Sequence, residues 1–231
     1  MGAEVAGKKE KSGRKVRSRA ILVFGEDEND RECVRHLVEA IWPEVPAMKS
    51  RRAPLILQKG KNSAEHRKNA FAVAAVVKAS KVTLDIVAVM AHQDCDAVEP
   101  AHESLSERIE RQLTAAGVPL ACAVTPAWEF ESWWYLWPDA VASVNPRWRR
   151  LNRDGQEVGL IVDAKEVLRS ELRPRAKEKP TSDYSESDGP RIASAVRTGK
   201  YIDSRKAKSA SFLSFRKKIL KIKADIEAGA A

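Results

Sequence analysis

Apolar positions along this chain change their period several times, and each change marks an element. Residues 20–24 (AILVF) are a continuous apolar run stopped by Gly25, the pattern of a strand buried on both faces. Asn29 or Asp30 can then cap a helix that places Val34, Leu37, Val38 and Ile41 on one face and ends before Pro43. Residues 54–58 (PLILQ) read as a second short strand, followed by a basic turn over 59–62 and a helix over 64–80. Residues 84–91 are the most apolar stretch and predict a third strand. Over 99–116, Leu105, Ile109 and Leu113 recur at four-residue spacing before Gly117, so this is the clearest helix, and a fourth strand follows over 118–124.

Strands alternating with helices at this spacing predict parallel pairing through right-handed crossovers. The expected fold is α/β: a Rossmann-like parallel sheet of about four strands flanked by helices. Beyond Pro126 the pattern changes. Residues 127–137 (AWEFESWWYLW) hold four of the six tryptophans and predict an aromatic helix docked on the core, with Glu129 and Glu131 embedded in it. A carboxylate among aromatics must be paired, exposed or metal-bound. Residues 146–190 are polar and punctuated by proline, with a short helical pattern over 163–172. Residues 209–226 return to a helix with Phe212, Phe215, Ile219, Ile222 and Ile226 on one side. The expected organisation is a disordered basic arm over 1–18, a catalytic body over 19–145, and a basic, mostly helical extension over 146–231 packed on that body.

Charge changes this picture more than composition does. A chain of 231 residues with 43% hydrophobic residues can bury a real core. Its net charge of +9 is unevenly spread: residues 1–19 carry seven Lys or Arg against two acids, and residues 172–223 carry fifteen against five. The stretch between them is net acidic, a layout that suits attraction to nucleic acid. Lys177, Arg191, Lys200, Arg205 and Lys208 are the expected contacts in the extension, with Ser209 and Ser211 able to cap the last helix and offer a phosphate site. No apolar run reaches the ~20 residues of a spanning helix, so no membrane association and a cytoplasmic location are expected. Cys33, Cys95 and Cys122 form no CxxC pair, which argues against a disulfide framework or a zinc knuckle. No Walker A pattern is present, so any ATPase partner is a separate polypeptide.

The chemistry concentrates at two strand ends. ILVFGEDEND over 21–30 breaks into carboxylates at Glu26, Glu28 and Asp30, and VAVMAHQDCD over 87–96 does so at Asp94 and Asp96. Acids just past parallel strands collect at one edge of the sheet, where ligands bind. On an extended segment the two acids of a D-x-D point the same way and can share one ion, and an all-oxygen set suits Mg²⁺. His92 reads as a structural residue at a strand end.

GEDEND resembles the first motif of the Toprim family, the catalytic domain of topoisomerases, primases and OLD-type nucleases. Glu26 and Asp30 match the ends of its E-G-x-T-D form, and Asp27 stands in place of the glycine. AHQDCDA is similar to the family's D-x-D motif at Asp94 and Asp96, and EFESWWYL to an E-x-W-L segment after the fourth strand, which assigns Glu131. The resemblance covers about residues 19–140. It implies hydrolysis of phosphodiester bonds in DNA or RNA assisted by one or two Mg²⁺ or Mn²⁺ ions, in a bacterial anti-phage defence or mobile-element setting. Asp94, Asp96 and Glu131 would be ligands, and Glu26 a ligand or a general base. The alternative is a non-catalytic nucleic-acid-binding or partner-docking module with a degenerate Toprim site.

Overall fold

The computed structural model describes residues 17–173 and 183–229. Strands β1 (Ser18–Phe24), β2 (Ala47–Arg51), β3 (Leu84–His92) and β4 (Ala121–Val124) make one sheet in the order β2-β1-β3-β4, every pair parallel. This is the expected α/β, Rossmann-like architecture. Along β1 the side chains alternate strictly: Ile21 and Val23 enter one core, and Ala20, Leu22 and Phe24 enter the other. The β1–β3 register slips after Ala20, which pairs with Ile86 while Ile21 pairs with Ala88. Val87 is thereby the extra residue, and it lets Val87 and Ala88 both face the first core before alternation resumes at Val89.

Helices α1 (Glu28–Ile41), α2 (Ser63–Ser80) and α3 (Ala101–Ala115) cover the two faces. α2 and α3 bury Ala70, Val73, Val77, Ile109 and Leu113 on the second core. α1 lies on the first core, joined there by α4 (Glu131–Trp134), α5 (Pro138–Val144), α6 (Ala164–Leu172), α7 (Gly189–Thr198) and α8 (Ala210–Ala228). Among the described residues no helix is long and apolar enough to cross a membrane.

Several expectations are corrected. Residues 54–58 do not form a strand; β2 comes from the less apolar AMKSR. An edge strand needs a paired backbone more than an apolar sequence. Ile56 and Leu57 are nonetheless buried, and Leu57 is tied by its backbone to the Gln93 side chain, accepting from Nε2 at 2.7 Å and donating to Oε1 at 3.2 Å. α1 is capped not by Asn29 or Asp30 but by Asp27, which accepts from the Asp30 N–H at 2.9 Å, while Asp30 accepts in return from the Asp27 N–H at 3.3 Å. The aromatic helix shrinks to the four residues of α4, and Pro138 starts α5. Helices α5 and α7, both opening on proline in the first turn, were not anticipated. The arm expected over 1–18 lies outside the described residues except for Arg17 and Ser18, and Ser18 already belongs to β1.

The phosphate site expected at Ser209 and Ser211 is also corrected, because a carboxylate of the protein fills it. Glu99 accepts from the Ser211 N–H at 2.7 Å, the Ala210 N–H at 2.9 Å and the Ser209 hydroxyl at 2.7 Å. Burial works to raise the Glu99 pKa, yet these donors outweigh it and hold the carboxyl below its ordinary value. Ser211 in turn accepts from Trp133 Nε1 at 2.9 Å and from the Ala127 N–H at 3.2 Å, so one node fastens α8 to the ends of β3 and β4. A methyl group on Gly159 would lie 2.0 Å from the Glu99 carboxyl carbon.

Glu99→Ala should therefore lower stability by about 2 kcal/mol, the range for hydrogen bonds to a buried charge. Gly159→Ala, which alters no charge, should destabilise in the same direction by displacing that carboxylate. Urea unfolding at neutral pH tests both, and a wild-type midpoint in either variant would refute the node.

Candidate active site at the carboxyl ends of β1 and β3

The strand order places a topological switch between β1 and β3. α1 leaves β1 toward one face and α3 leaves β3 toward the other, so the sheet opens a crevice at the carboxyl ends of these two neighbours. A cleft of about 380 Å³ occupies that position, and Glu26, Asp30, Asp94, Asp96, Glu129 and Glu131 all line it. Among the described residues, Lys165 is the one Lys or Arg of its lining. Gly25 lets the chain turn closely, since a methyl there would come within 3.2 Å of Arg31 Cγ and 3.5 Å of His92 Cβ.

His92 lies between two of these carboxylates, Asp30 and Asp94. Only 3% exposed, it sits with Nδ1 3.5 Å from Asp30 and Nε2 3.2 Å from Asp94, its ring stacked on Phe130 at 4.4 Å. These are charge contacts, because neither ring nitrogen meets a partner with hydrogen-bond geometry. Burial disfavours the imidazolium, but Asp94 and Asp30 outweigh it and raise the pKa to about 10. Asp30 is held below its ordinary value: burial opposes ionisation, and His92, the Asp27 N–H and Arg31 prevail. Asp94 is pushed up by its own burial despite His92. Glu26, on the open side, is raised by burial and by the like charges of Asp94 and Asp30.

The remaining carboxylates are held by separate partners. Asp96 is not on an extended segment: its φ is +50°, its N–H donates to the Trp128 carbonyl at 3.0 Å, and its carboxylate meets Lys59 at 2.8 Å. The D-x-D acids thus line one cleft but engage different cations. Glu131 turns inward and accepts from the Tyr184 hydroxyl at 2.7 Å, with burial first and Glu129 second raising its pKa to about 7. Glu129 receives the Lys165 N–H at 2.6 Å, at the start of α6, and lies 3.7 Å from Lys165 Nζ. Lys165 Nζ also meets Glu186 at 2.7 Å.

Among the described residues, no three His, Cys, Asp or Glu side chains are gathered tightly enough to hold a metal as they stand. The donors nevertheless fit a hard divalent cation in kind: carboxylate oxygens of like charge that raise one another's pKa values, facing a wet cleft. Mg²⁺ retains several waters and needs only one or two protein carboxylates.

The cations expected to grip nucleic acid are not collected at this cleft. Lys177 lies outside the described residues. Arg191 bonds Asp188 and the Val144 carbonyl, Lys208 lies 3.6 Å from Glu157, and Arg205 stacks over Phe212 at 5.4 Å. Lys200 has a left-handed φ of +56° and lines a different hollow, beside β2. Sequence reasoning missed Tyr184 and Lys165, which nothing local singles out, and undervalued His92. Its two-residue spacing from Asp94 at a strand end was the available signal.

The chain matches no family model, no curated protein and no solved structure.

The raised Glu131 pKa has a consequence for stability. Between the ordinary value of 4.5 and about 7 the folded state binds more protons than the unfolded one, so its contribution is full below about 4.5 and is lost as pH rises through about 7. Glu131→Gln, which keeps an acceptor for Tyr184, should remove that decline. Measured in EDTA, the wild type should lose stability relative to the variant from pH 4.5 to 8, by on the order of 3 kcal/mol. Parallel pH profiles would contradict the assignment.

Proposed function

We propose that this protein is a divalent-metal-dependent phosphodiesterase acting on DNA or RNA, with a Toprim-like site. The observation that supports it best is the gathering of Glu26 and Asp94 at the β1–β3 switch point, in a cleft where, among the described residues, the charged lining is acidic except for Lys165. An acidic cleft repels a polyanion unless a cation lies between them, and phosphodiester chemistry is where such an arrangement is useful.

Glu26 and Asp94 would hold the ion, with Asp96 and Asp30 beside them. Bound there, Mg²⁺ or Mn²⁺ supplies Lewis-acid polarisation of a phosphoryl oxygen. The residues of the chain do the rest. His92 carries a buried positive charge that favours the ionised form of Asp30, opposes the effect of burial on Asp94, and sits against both side chains. Glu26, its proton affinity raised and its side chain on the open side, is suited to accept a proton from an attacking water. Lys165, on the opposite wall, can meet a non-bridging phosphate oxygen. Tyr184 holds Glu131 and shapes the floor. A second reading, a nucleic-acid-binding module with a degenerate site, draws on the absence of a closed three-residue ligand set among the described residues and on the pairing of Asp96 with Lys59.

Incubation of plasmid, single-stranded DNA and tRNA with the protein and Mg²⁺ or Mn²⁺ decides between them. Cleavage should appear with metal, vanish in EDTA, and fall by at least about 100-fold in Asp94→Ala and in Glu26→Gln, the scale for loss of a metal ligand or a general base. Cleavage that persists in Asp94→Ala would sink the metal-dependent reading, and binding without cleavage in every metal would favour the module.

A further inference from the structure

The cleft is too acidic to grip a polyanion along its length, and Arg191, Arg205 and Lys208 are engaged in internal contacts. A different segment, PRWRRLNRDGQ over 146–156, carries four arginines against one aspartate. Its two apolar residues, three apart, are buried, with Trp148 6% and Leu151 3% exposed, and this anchoring leaves Arg147, Arg149 and Arg150 on the surface. The backbone is pinned as well: the Arg149 N–H donates to the Leu172 carbonyl at 3.1 Å, and the Arg147 N–H to Asn145 Oδ1 at 3.0 Å.

Beside this segment lies a groove of about 310 Å³ lined by Arg149, Arg150, Asn152, Arg153, Gln156 and Glu171. Among the described residues, Glu171 is its one acid, already neutralised by Arg153, which also donates to Gln156 and lies over the Tyr135 ring at 5.7 Å. Arg150 meets Asp139 at 2.5 Å, but both side chains are exposed, and a pair of that kind is readily exchanged for a stronger anion. Among the described residues, the Arg147 and Arg149 side chains make no ion pair. Guanidinium groups beside exposed amides, with their own acid cancelled, match phosphate oxygens and sugar hydroxyls. The arginine segment is tied to the cleft through its own Trp148, which packs against Tyr184 at 5.9 Å, and Tyr184 lines the cleft.

We propose that the groove formed by Arg149 and Arg150 binds the phosphodiester backbone of a nucleic-acid strand whose scissile bond is presented to the acidic cleft. The choice of a polynucleotide over another polyanion rests on the phosphodiesterase reading. The groove takes the gripping role that the sequence suggested for Arg191, Lys200, Arg205 and Lys208.

Fluorescence anisotropy with short labelled single-stranded DNA, duplex DNA and single-stranded RNA, in EDTA and in Ca²⁺, tests this on the full chain. Arg149→Glu with Arg150→Glu should weaken binding at least about tenfold and reduce the slope of log K against log salt by about 1.4 to 1.8, two phosphate contacts' worth. Lys200→Glu with Lys208→Glu, the same change in charge, should shift binding less than about twofold. The three oligonucleotides separate DNA from RNA as the source of the backbone. Equal losses in the two double variants, wild-type affinity in the arginine variant, or no binding by the wild type would each overturn the proposal. Hydrolysis of bis(p-nitrophenyl) phosphate isolates the cleft. Groove-dependent binding without hydrolysis of any ester would uphold the groove while removing the phosphodiesterase reading, and ester hydrolysis kept by an arginine variant that no longer cleaves polynucleotide would support both.

Discussion

The buried imidazolium of His92 is the contact on which the arrangement of the cleft depends. Parallel strands β1 and β3 end side by side, and their following turns bring Asp30 and Asp94 toward the same point. Two half-buried carboxylates held together repel and lose part of their hydration, which favours protonation of one of them. A cation between them resolves this, and the end of β3 supplies it. His92 is the last residue of β3, and its ring is clamped by Phe130 from the segment after β4. The aromatic segment is thereby connected to the charge balance of the cleft, and Phe130 has a role beyond filling the core.

A second pattern holds the C-terminal helices in place. Two glutamates of the sheet region each occupy the N-terminus of a helix from the later part of the chain: Glu99 on α8 and Glu129 on α6. The unpaired N–H groups of a helix start attract an anion, and the protein supplies it internally. Glu129 is the more consequential of the two, because it also faces the cleft and approaches Lys165. The same carboxylate that orients α6 thus fixes the cation opposite Glu26 and Asp94.

How far the sequence carries is set by the range of the interactions. Strands β1, β3 and β4 and helices α2, α3 and α8 are legible because their apolar spacing is local, and the strand order then brings Glu26 and Asp94 to one crevice. β2 is not legible, since its residues join the sheet by pairing with β1 and not by apolarity, while the more apolar residues 54–58 are buried without pairing. The partners of the carboxylates are hidden for a different reason. Glu131 meets a tyrosine 53 residues away, and Glu99 meets helix donors more than a hundred residues away, at separations where no periodicity carries information. Asp27 is instructive in the opposite sense. Where the resemblance expects a glycine, the aspartate builds the capping box that starts α1 and places Asp30 against His92.

Charge in this molecule is sorted by depth as well as by position. Carboxylates gather at the strand ends, where the geometry of a parallel sheet delivers them, whereas arginines flank buried Trp148 and Leu151 and remain in water. Buried Trp148 and Tyr184, in tilted ring contact at 5.9 Å, link the arginine segment to the lining of the cleft. A strand of polyanion approaching such a surface is attracted to the arginine side and repelled from the carboxylate side until a divalent ion occupies the latter. On the proposed reading, ion binding and strand engagement would be coupled by electrostatics, each making the other more favourable.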